Sequence, residues 1–280
     1  LNPGPTFTYL TGLQMHLMER PTVLFITSFG QAALVLPYLE KEKLAGLELE
    51  LQAFTYEDDP ANWGGAFREA IEALGLAQAK LAAEPSRLRL LELQFIQAAA
   101  PKAAIIDGSP IVEGLRLKKD TQELAKMREA AVIAQKALVE TLKHIHPGMS
   151  EKQIAAELVI ALYQAGSDIE LPFEPIVSSG PNSANPHAAP SERLLQEGDL
   201  LLFDWGASKD GYFSDITRTF TVGEVEPELQ HIGEVVLAAN AKGREIAAPG
   251  MPAGAVDKAV RAVIESAGYG AYFTHRTGHG

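Results

Sequence analysis

One pattern of stops recurs in this sequence at a fixed distance. Pro147-Gly148-Met149 stops one long apolar-periodic run and Ala165-Gly166 stops the next; Pro249-Gly250-Met251 and Ala267-Gly268 repeat both stops (147 to 249 and 166 to 268, an offset of 102 each time). Before the first stop, Leu124, Met127, Ala131, Ala134, Leu138 and Leu142 follow at steps of three or four, the spacing of one helix face. Asp120-x-x-Glu123 resembles a capping box at its start. Before the second stop stand Leu229, Ile232, Val236, Ala239 and Ile246, with Pro227 where a helix tolerates a missing N–H. A shorter helix follows each stop: Ile154, Leu158, Ala161 and Leu162 behind a Ser150-x-x-Gln153 cap, then Val256, Val260, Val263 and Ala267. Two readings stand: an internal duplication of helix–turn–helix–strands, or two unrelated helix pairs sharing a common Pro-Gly stop. Under duplication, the first copy runs to about Val222, and the same offset carries the second copy's strands past Gly280. A fragment is therefore expected. Leu1 in place of Met, and the turn Asn2-Pro3-Gly4-Pro5 with no strand before it, extend that expectation to the other end.

The first 115 residues have a different texture. Val23–Ile26 and Ala33–Leu36 are β-rich runs around a Ser28-Phe29-Gly30 turn, a hairpin signal. Leu47-Glu48-Leu49-Glu50-Leu51 alternates with period two and predicts a half-buried strand. Leu88 to Ala99 has helical spacing, and Ala103 to Ile106 reads as a buried strand closed by Asp107-Gly108. Asp58-Asp59 before Pro60 reads as a solvated turn. No nucleophile elbow, phosphate loop or metal pair is found there. The expected fold class is α/β (α+β): a small N-terminal α/β domain over 1–115, then the duplicated helix–helix–sheet domain over 116–280.

Composition removes several functions. With 36 acidic against 24 basic residues the net charge is −12, the wrong sign for a nucleic-acid binder. Cysteine is absent, which excludes disulfides, thiolate metal sites and cysteine nucleophiles. The most apolar stretch, Thr22 to Leu39, is broken by Thr27, Ser28, Gln31 and Pro37, so no membrane span is expected. No signal-peptide pattern is read at the start, and a soluble, cytoplasmic protein is expected.

The chemistry concentrates in a predicted hairpin. Leu200 to Gly206 is an apolar strand with Asp204 inside it, Ser214 to Phe220 is a second strand carrying Asp215, and Ser208-Lys209-Asp210-Gly211 is turn chemistry. A loop centred between Lys209 and Asp210 sets Asp204 directly opposite Asp215, with Cβ atoms about 5 Å apart. Facing carboxylates repel unless a cation lies between them, and a hard divalent ion such as Mn²⁺ or Mg²⁺ suits two such oxygens. The alternative is a register one residue different, with one aspartate solvated. His275 and His279, four apart, offer a ligand and a proton-transfer group, and Asn185-Pro186-His187 a third imidazole.

Taken together these segments resemble a known family. Phe173-Glu174-Pro175 to Gly180-Pro181-Asn182, Pro186-His187, Gly198-Asp199 to Gly206, Gly211-Tyr212, Ser214 to Phe220 and His275 to Gly280 are similar, in order and spacing, to the metallopeptidases of the pita-bread fold. These include Xaa-Pro dipeptidases, aminopeptidase P and methionine aminopeptidases. Tyr9-Leu10-Thr11-Gly12, Glu19-Arg20-Pro21 and Leu115 to Asp120 resemble the creatinase-type N-terminal domain, which methionine aminopeptidases lack. The proline-directed branch therefore fits better.

The resemblance implies a site with two divalent metal ions (Mn, Co or Zn) held by two aspartates, one histidine and two glutamates. Asp204, Asp215 and His279 match the first three; both glutamates are expected beyond Gly280, so the 280-residue chain alone is expected to bind Mn²⁺ weakly or not at all and to be inactive. His187 and His275 match the outer histidines that position substrate and stabilise the tetrahedral intermediate. The implied substrates are small peptides with proline at the second position, cleaved by a homodimer, with no nucleic-acid or membrane partner. A metal-free creatinase-type hydrolase and a non-catalytic pita-bread binding protein are the rival readings. Asp204 and Asp215 argue against the first, and retention of three of five ligands against the second.

Overall fold

A computed structural model describes residues 1–278. Its contacts divide the chain into two units: Leu1–Lys126 with Asp210–Tyr212, and Met127–Lys209 continued from Phe213.

In the first unit, α1 (Pro5–Thr11) precedes the hairpin of β1 (Val23–Ile26) and β2 (Ala32–Pro37), paired antiparallel from Val23↔Val35 to Ile26↔Ala32. β3 (Gln52–Tyr56) joins β2 in parallel, with Ala33 opposite Gln52. The alternating segment Leu47–Leu51 is not a strand, contrary to its period. Its leucines are half-buried and its glutamates exposed, as alternation requires, but β2 begins only at Ala32, so earlier residues have no backbone to pair with. α2 (Trp63–Ala73) and α3 (Leu90–Ala99) pack Phe67 on Phe95, with ring centroids 5.1 Å apart. Between and after them, β4 (Lys80–Ala83) and β5 (Ala104–Asp107) form a parallel pair, followed by α4 (Ser109–Leu117). The strand expected near Ala103–Ile106 exists as β5, but it is not buried. Ile105 packs toward the α2–α3 core, so Ile106 points the other way and is exposed. Asp58 pairs with Arg20 at 2.6 Å on the surface, and Asp59 caps the turn beginning at Pro60.

α5 (Thr121–Thr141) starts in a formed capping box: Asp120 Oδ1 accepts from the Glu123 amide at 2.8 Å, and Glu123 Oε2 accepts from the Asp120 amide at 2.6 Å. In the second unit, α6 (Glu151–Gln164) is capped by Ser150 and Gln153 in the same reciprocal way. β6 (Ile176–Ser179), β7 (Leu200–Trp205) and β10 (Ile216–Thr221) make an antiparallel sheet in the order β10–β7–β6. β8 (Ser208–Lys209) and β9 (Tyr212–Phe213) form the hairpin tip between β7 and β10. Leu201, Phe203 and Trp205 alternate inward and meet Ala134, Ala137 and Leu138 of α5 and Ile154, Leu158 and Leu162 of α6. The buried face of α5 runs Ala130, Ile133, Ala134, Ala137, Leu138, Thr141; Leu124, expected on it, is exposed. The small residues let Trp205 approach until its Nε1 donates to the Ala134 carbonyl at 3.0 Å.

α7 (Pro227–Ile246) and α8 (Ala253–Ser266) then repeat the helix pair. Gly166 and Gly268 both end their helices at positive φ, 102° and 88°. Ser167 N donates to Leu162 O at 3.0 Å, and its counterpart Tyr269 N to Ile264 O at 3.1 Å. Buried Leu158 and Leu162 correspond to buried Val260 and Ile264, and Ala137 to Ala239. Val236, expected on the apolar face of α7, is exposed; Val235 packs on the α8 core instead. The two pairs differ in packing. Gly243 of α7 lies so close to α8 that an added Cβ would stand 3.0 Å from Val260 Cγ2, whereas α5 and α6 both pack on the sheet. Among the described residues, no helix is long and apolar enough to cross a membrane.

Candidate metal centre

The register of the β7–β10 hairpin decides where its carboxylates stand. Asp210 and Gly211 both have positive φ, 49° and 80°, the two-residue reversal that an Asp-Gly pair favours. The loop is therefore centred one residue later than expected. Asp204 lies opposite Thr217, whose Oγ1 donates to Asp204 Oδ1 at 2.9 Å, and not opposite Asp215. The direct Asp204–Asp215 pairing is thus corrected. The ladder continues with Trp205↔Ile216, and Ser214 N donates to Ala207 O at 3.0 Å, so Asp215 falls diagonally from Asp204. Moving the centre by one residue shifts the partner by two, so strand alternation keeps both carboxylates on one face, away from the α5–α6 core. Asp204 is half-buried and Asp215 exposed.

Gly206 makes this crossing possible. A Cβ there would stand 1.9 Å from the Ser214 carbonyl oxygen and 2.5 Å from Pro172 Cγ.

The imidazoles lie on loops. His187 is exposed, beyond the turn Gly180–Ala184, and its amide donates to Asn185 Oδ1 at 3.1 Å. His275 is exposed, with its Nδ1 2.9 Å from the Arg276 carbonyl. Its loop is tied to α8: Arg261 donates to the carbonyls of Phe273 at 2.7 Å and His275 at 2.9 Å, and Thr277 N donates to Asp257 Oδ1 at 2.7 Å. His279 lies outside the described residues. Among the described residues, no three His, Asp or Glu side chains converge on a metal position. Asp204 and Asp215 supply hard oxygen donors on a common face, a donor chemistry that fits a divalent cation.

A polar cluster beside the sheet was not anticipated. Glu151, fully buried, accepts hydrogen bonds from Ser179, Asn182 and Ser191. Arg193 grips Asp199 at 2.6 and 2.8 Å and also donates to Ser179 Oγ at 2.7 Å. Glu151 follows Ser150 and reads from the sequence only as an acidic residue in a helix's first turn; no local pattern reveals that it turns inward. Burial pushes the Glu151 carboxyl up, but its hydrogen bonds from Ser191, Ser179 and Asn182 outweigh burial and hold it below its ordinary value. Asp199 behaves likewise: burial raises it, while Arg193 and the Gln196 amide lower it further. Both folded values lie below the unfolded ones. The stabilisation is therefore complete above the ordinary carboxylate range of about 4 and is lost as pH falls through the folded values. With Trp63 replaced by Phe so that Trp205 is the one tryptophan left, near-UV circular dichroism in an acid titration should show the second unit intact at pH 6–7 and failing below about pH 4. A signal unchanged to about pH 2.5 would contradict this assignment.

A mixed sheet-and-helix unit bearing two aspartates on one sheet face, following an α/β unit in the sequence, is the architecture of a pita-bread hydrolase with a creatinase-like N-terminal domain. Residues 125–280 match metallopeptidase family M24, and residues 1–118 match the creatinase/prolidase N-terminal domain. The chain belongs to this family of metallopeptidases, whose membership implies divalent metal ions and peptide substrates. It is 32% identical over 276 residues to the Xaa-Pro dipeptidase of Lactobacillus helveticus, covering 98% of this chain and 75% of that one. The crystal structure of a dipeptidase from Pyrococcus horikoshii OT3 superposes with a TM-score of 0.90 at 35% identity, over 99% of this chain and 76% of that one. Recombinant prolidase from Thermococcus sibiricus gives 0.92 at 33% identity, over 100% and 75%.

Proposed function

We propose that the protein is an Xaa-Pro exopeptidase, a dipeptidase or aminopeptidase releasing the residue that precedes proline. The observation that carries this reading is the placement of Asp204 and Asp215 on one sheet face in a chain of this family. The name of the Lactobacillus helveticus relative supports the choice of substrate. The bond before proline is a tertiary amide without an N–H, so peptidases that hold that N–H leave it uncut. A dedicated site is the chemical answer.

Asp204, Asp215 and His279 are proposed to hold two divalent ions, Mn, Co or Zn. Held there, such ions would supply Lewis acidity toward a water and the scissile carbonyl. The chain's own residues do the rest. Thr217 fixes one Asp204 oxygen through its 2.9 Å hydrogen bond, which orients the carboxylate. His187 and His275 donate to the oxygen that gains negative charge as the carbonyl becomes tetrahedral. Their exposure leaves both rings open to a substrate.

Assaying the full-length protein on an Xaa-Pro dipeptide with Mn²⁺, then with EDTA, tests the proposal. Hydrolysis that EDTA abolishes and Mn²⁺ restores is expected; undiminished hydrolysis in chelator would sink it.

A further inference from the structure

We propose that Glu151 is a positioning residue for His187, its buried carboxylate clamping both ends of the segment that carries this histidine. The inference rests on the catalytic reading of His187 given above.

The segment runs from Ser179, the last residue of β6, to Ser191. Glu151 Oε1 accepts from the Ser179 amide at 2.7 Å and from Ser179 Oγ at 2.8 Å. Oε2 accepts from the Ser191 amide at 3.0 Å and from Ser191 Oγ at 2.6 Å. Asn182 Nδ2 reaches both oxygens at 3.1 Å. One oxygen thus binds the entry of the segment, the other its exit, and Asn182 bridges them. Between these ends the chain has little core of its own: Asn185, Pro186 and His187 are exposed, and only Ala188 is buried. Whatever fixes its ends therefore sets where His187 points.

A buried carboxylate is costly unless its lone pairs are filled. Here they are filled from a single loop. A helix start needs only its Ser150 cap, so helix capping does not account for an inward Glu151. The requirement that does account for it is an acceptor able to take two backbone amides and two hydroxyls from the two ends of that loop at once. Arg193 reinforces the entry point by donating to Ser179 Oγ at 2.7 Å.

Glu151→Gln keeps the shape but turns one acceptor into a donor facing donors, releasing one end. Two readouts follow. By amide hydrogen exchange, Asn185 and Ala188, whose amides are hydrogen-bonded within the loop, should exchange at least about tenfold faster, while Ala134 and Leu138 of α5 keep their protection. In the full-length protein, kcat on an Xaa-Pro dipeptide should fall about 10- to 100-fold with KM changed less than about threefold. The double variant Glu151→Gln/His187→Ala should then be no slower than His187→Ala, because the clamp acts through that ring. Unchanged loop exchange, or losses that multiply in the double variant, would overturn the proposal. If the wild-type protein cleaves no Xaa-Pro peptide, the functional reading fails by itself, and loop exchange still decides the clamp. Should Glu151→Gln not fold, Ser191→Ala removes one hydroxyl donor and is read in the same way.

Discussion

Gly206→Ala should be among the most damaging single substitutions in the second unit, costing about 4 kcal/mol or more. The added methyl would stand 1.9 Å from the Ser214 carbonyl, a distance at which the backbone itself must move. Neither Ser214 nor the strand that carries Gly206 can yield cheaply. Ser214 is buried, with Oγ accepting from the Ala207 amide at 2.9 Å and donating to the Ala130 carbonyl at 3.2 Å. Trp205, the adjacent residue, is locked to α5 through Ala134. Relief therefore means parting β7 from the chain at Ser214, which also separates Asp204 from Asp215. Urea unfolding of the variant should show a correspondingly lower midpoint; a loss under about 1 kcal/mol would mean the crossing is looser than described.

Asp215→Asn should leave the fold intact and remove the activity. Asp215 is exposed and outside the core cluster, so unfolding should change by less than about 1 kcal/mol. The amide keeps the size of the carboxylate but loses the charge a divalent cation needs. Losing several kcal/mol of transition-state stabilisation from the metal corresponds to a fall of about 10³-fold in kcat/KM for the full-length protein. Bound Mn²⁺, measured by isothermal titration, should fall with it. Activity within about tenfold of wild type would remove Asp215 from the ligand set.

How far the sequence led differs from place to place, and the reasons are physical. The repeated helix pair was legible because a 3.6-residue period and a glycine at positive φ are local requirements, met identically at Gly166 and Gly268. Both capping boxes were legible for the same reason. The Asp204 register was missed by two residues because Ser208 to Gly211 offers more than one turn centre; the Asp-Gly pair, a strong signal for positive φ at both positions, was the cue. Leu47–Leu51 misled because alternation reports half-burial and not the presence of a pairing strand. β4 gave no signal, since Lys80–Ala83 is ordered by its partner β5 and not by its own composition. The Glu151 cluster was illegible in principle: it joins residues 28 and 40 positions apart.

The close approach of α7 and α8 also bears on the order in which the second unit assembles. Gly243 and Val260 meet across a short connection, so their contact closes a small loop and costs little chain entropy. The pair can form on the timescale of local helical structure. The β7–β10 hairpin, closed by a two-residue reversal, is as local, but β6 reaches β7 only after the loop bearing His187 has been spanned, with Ser179 opposite Leu201. A population in which the C-terminal helices and the aspartate-bearing hairpin are formed while β6 is still unpaired is the kinetic counterpart of that difference in reach.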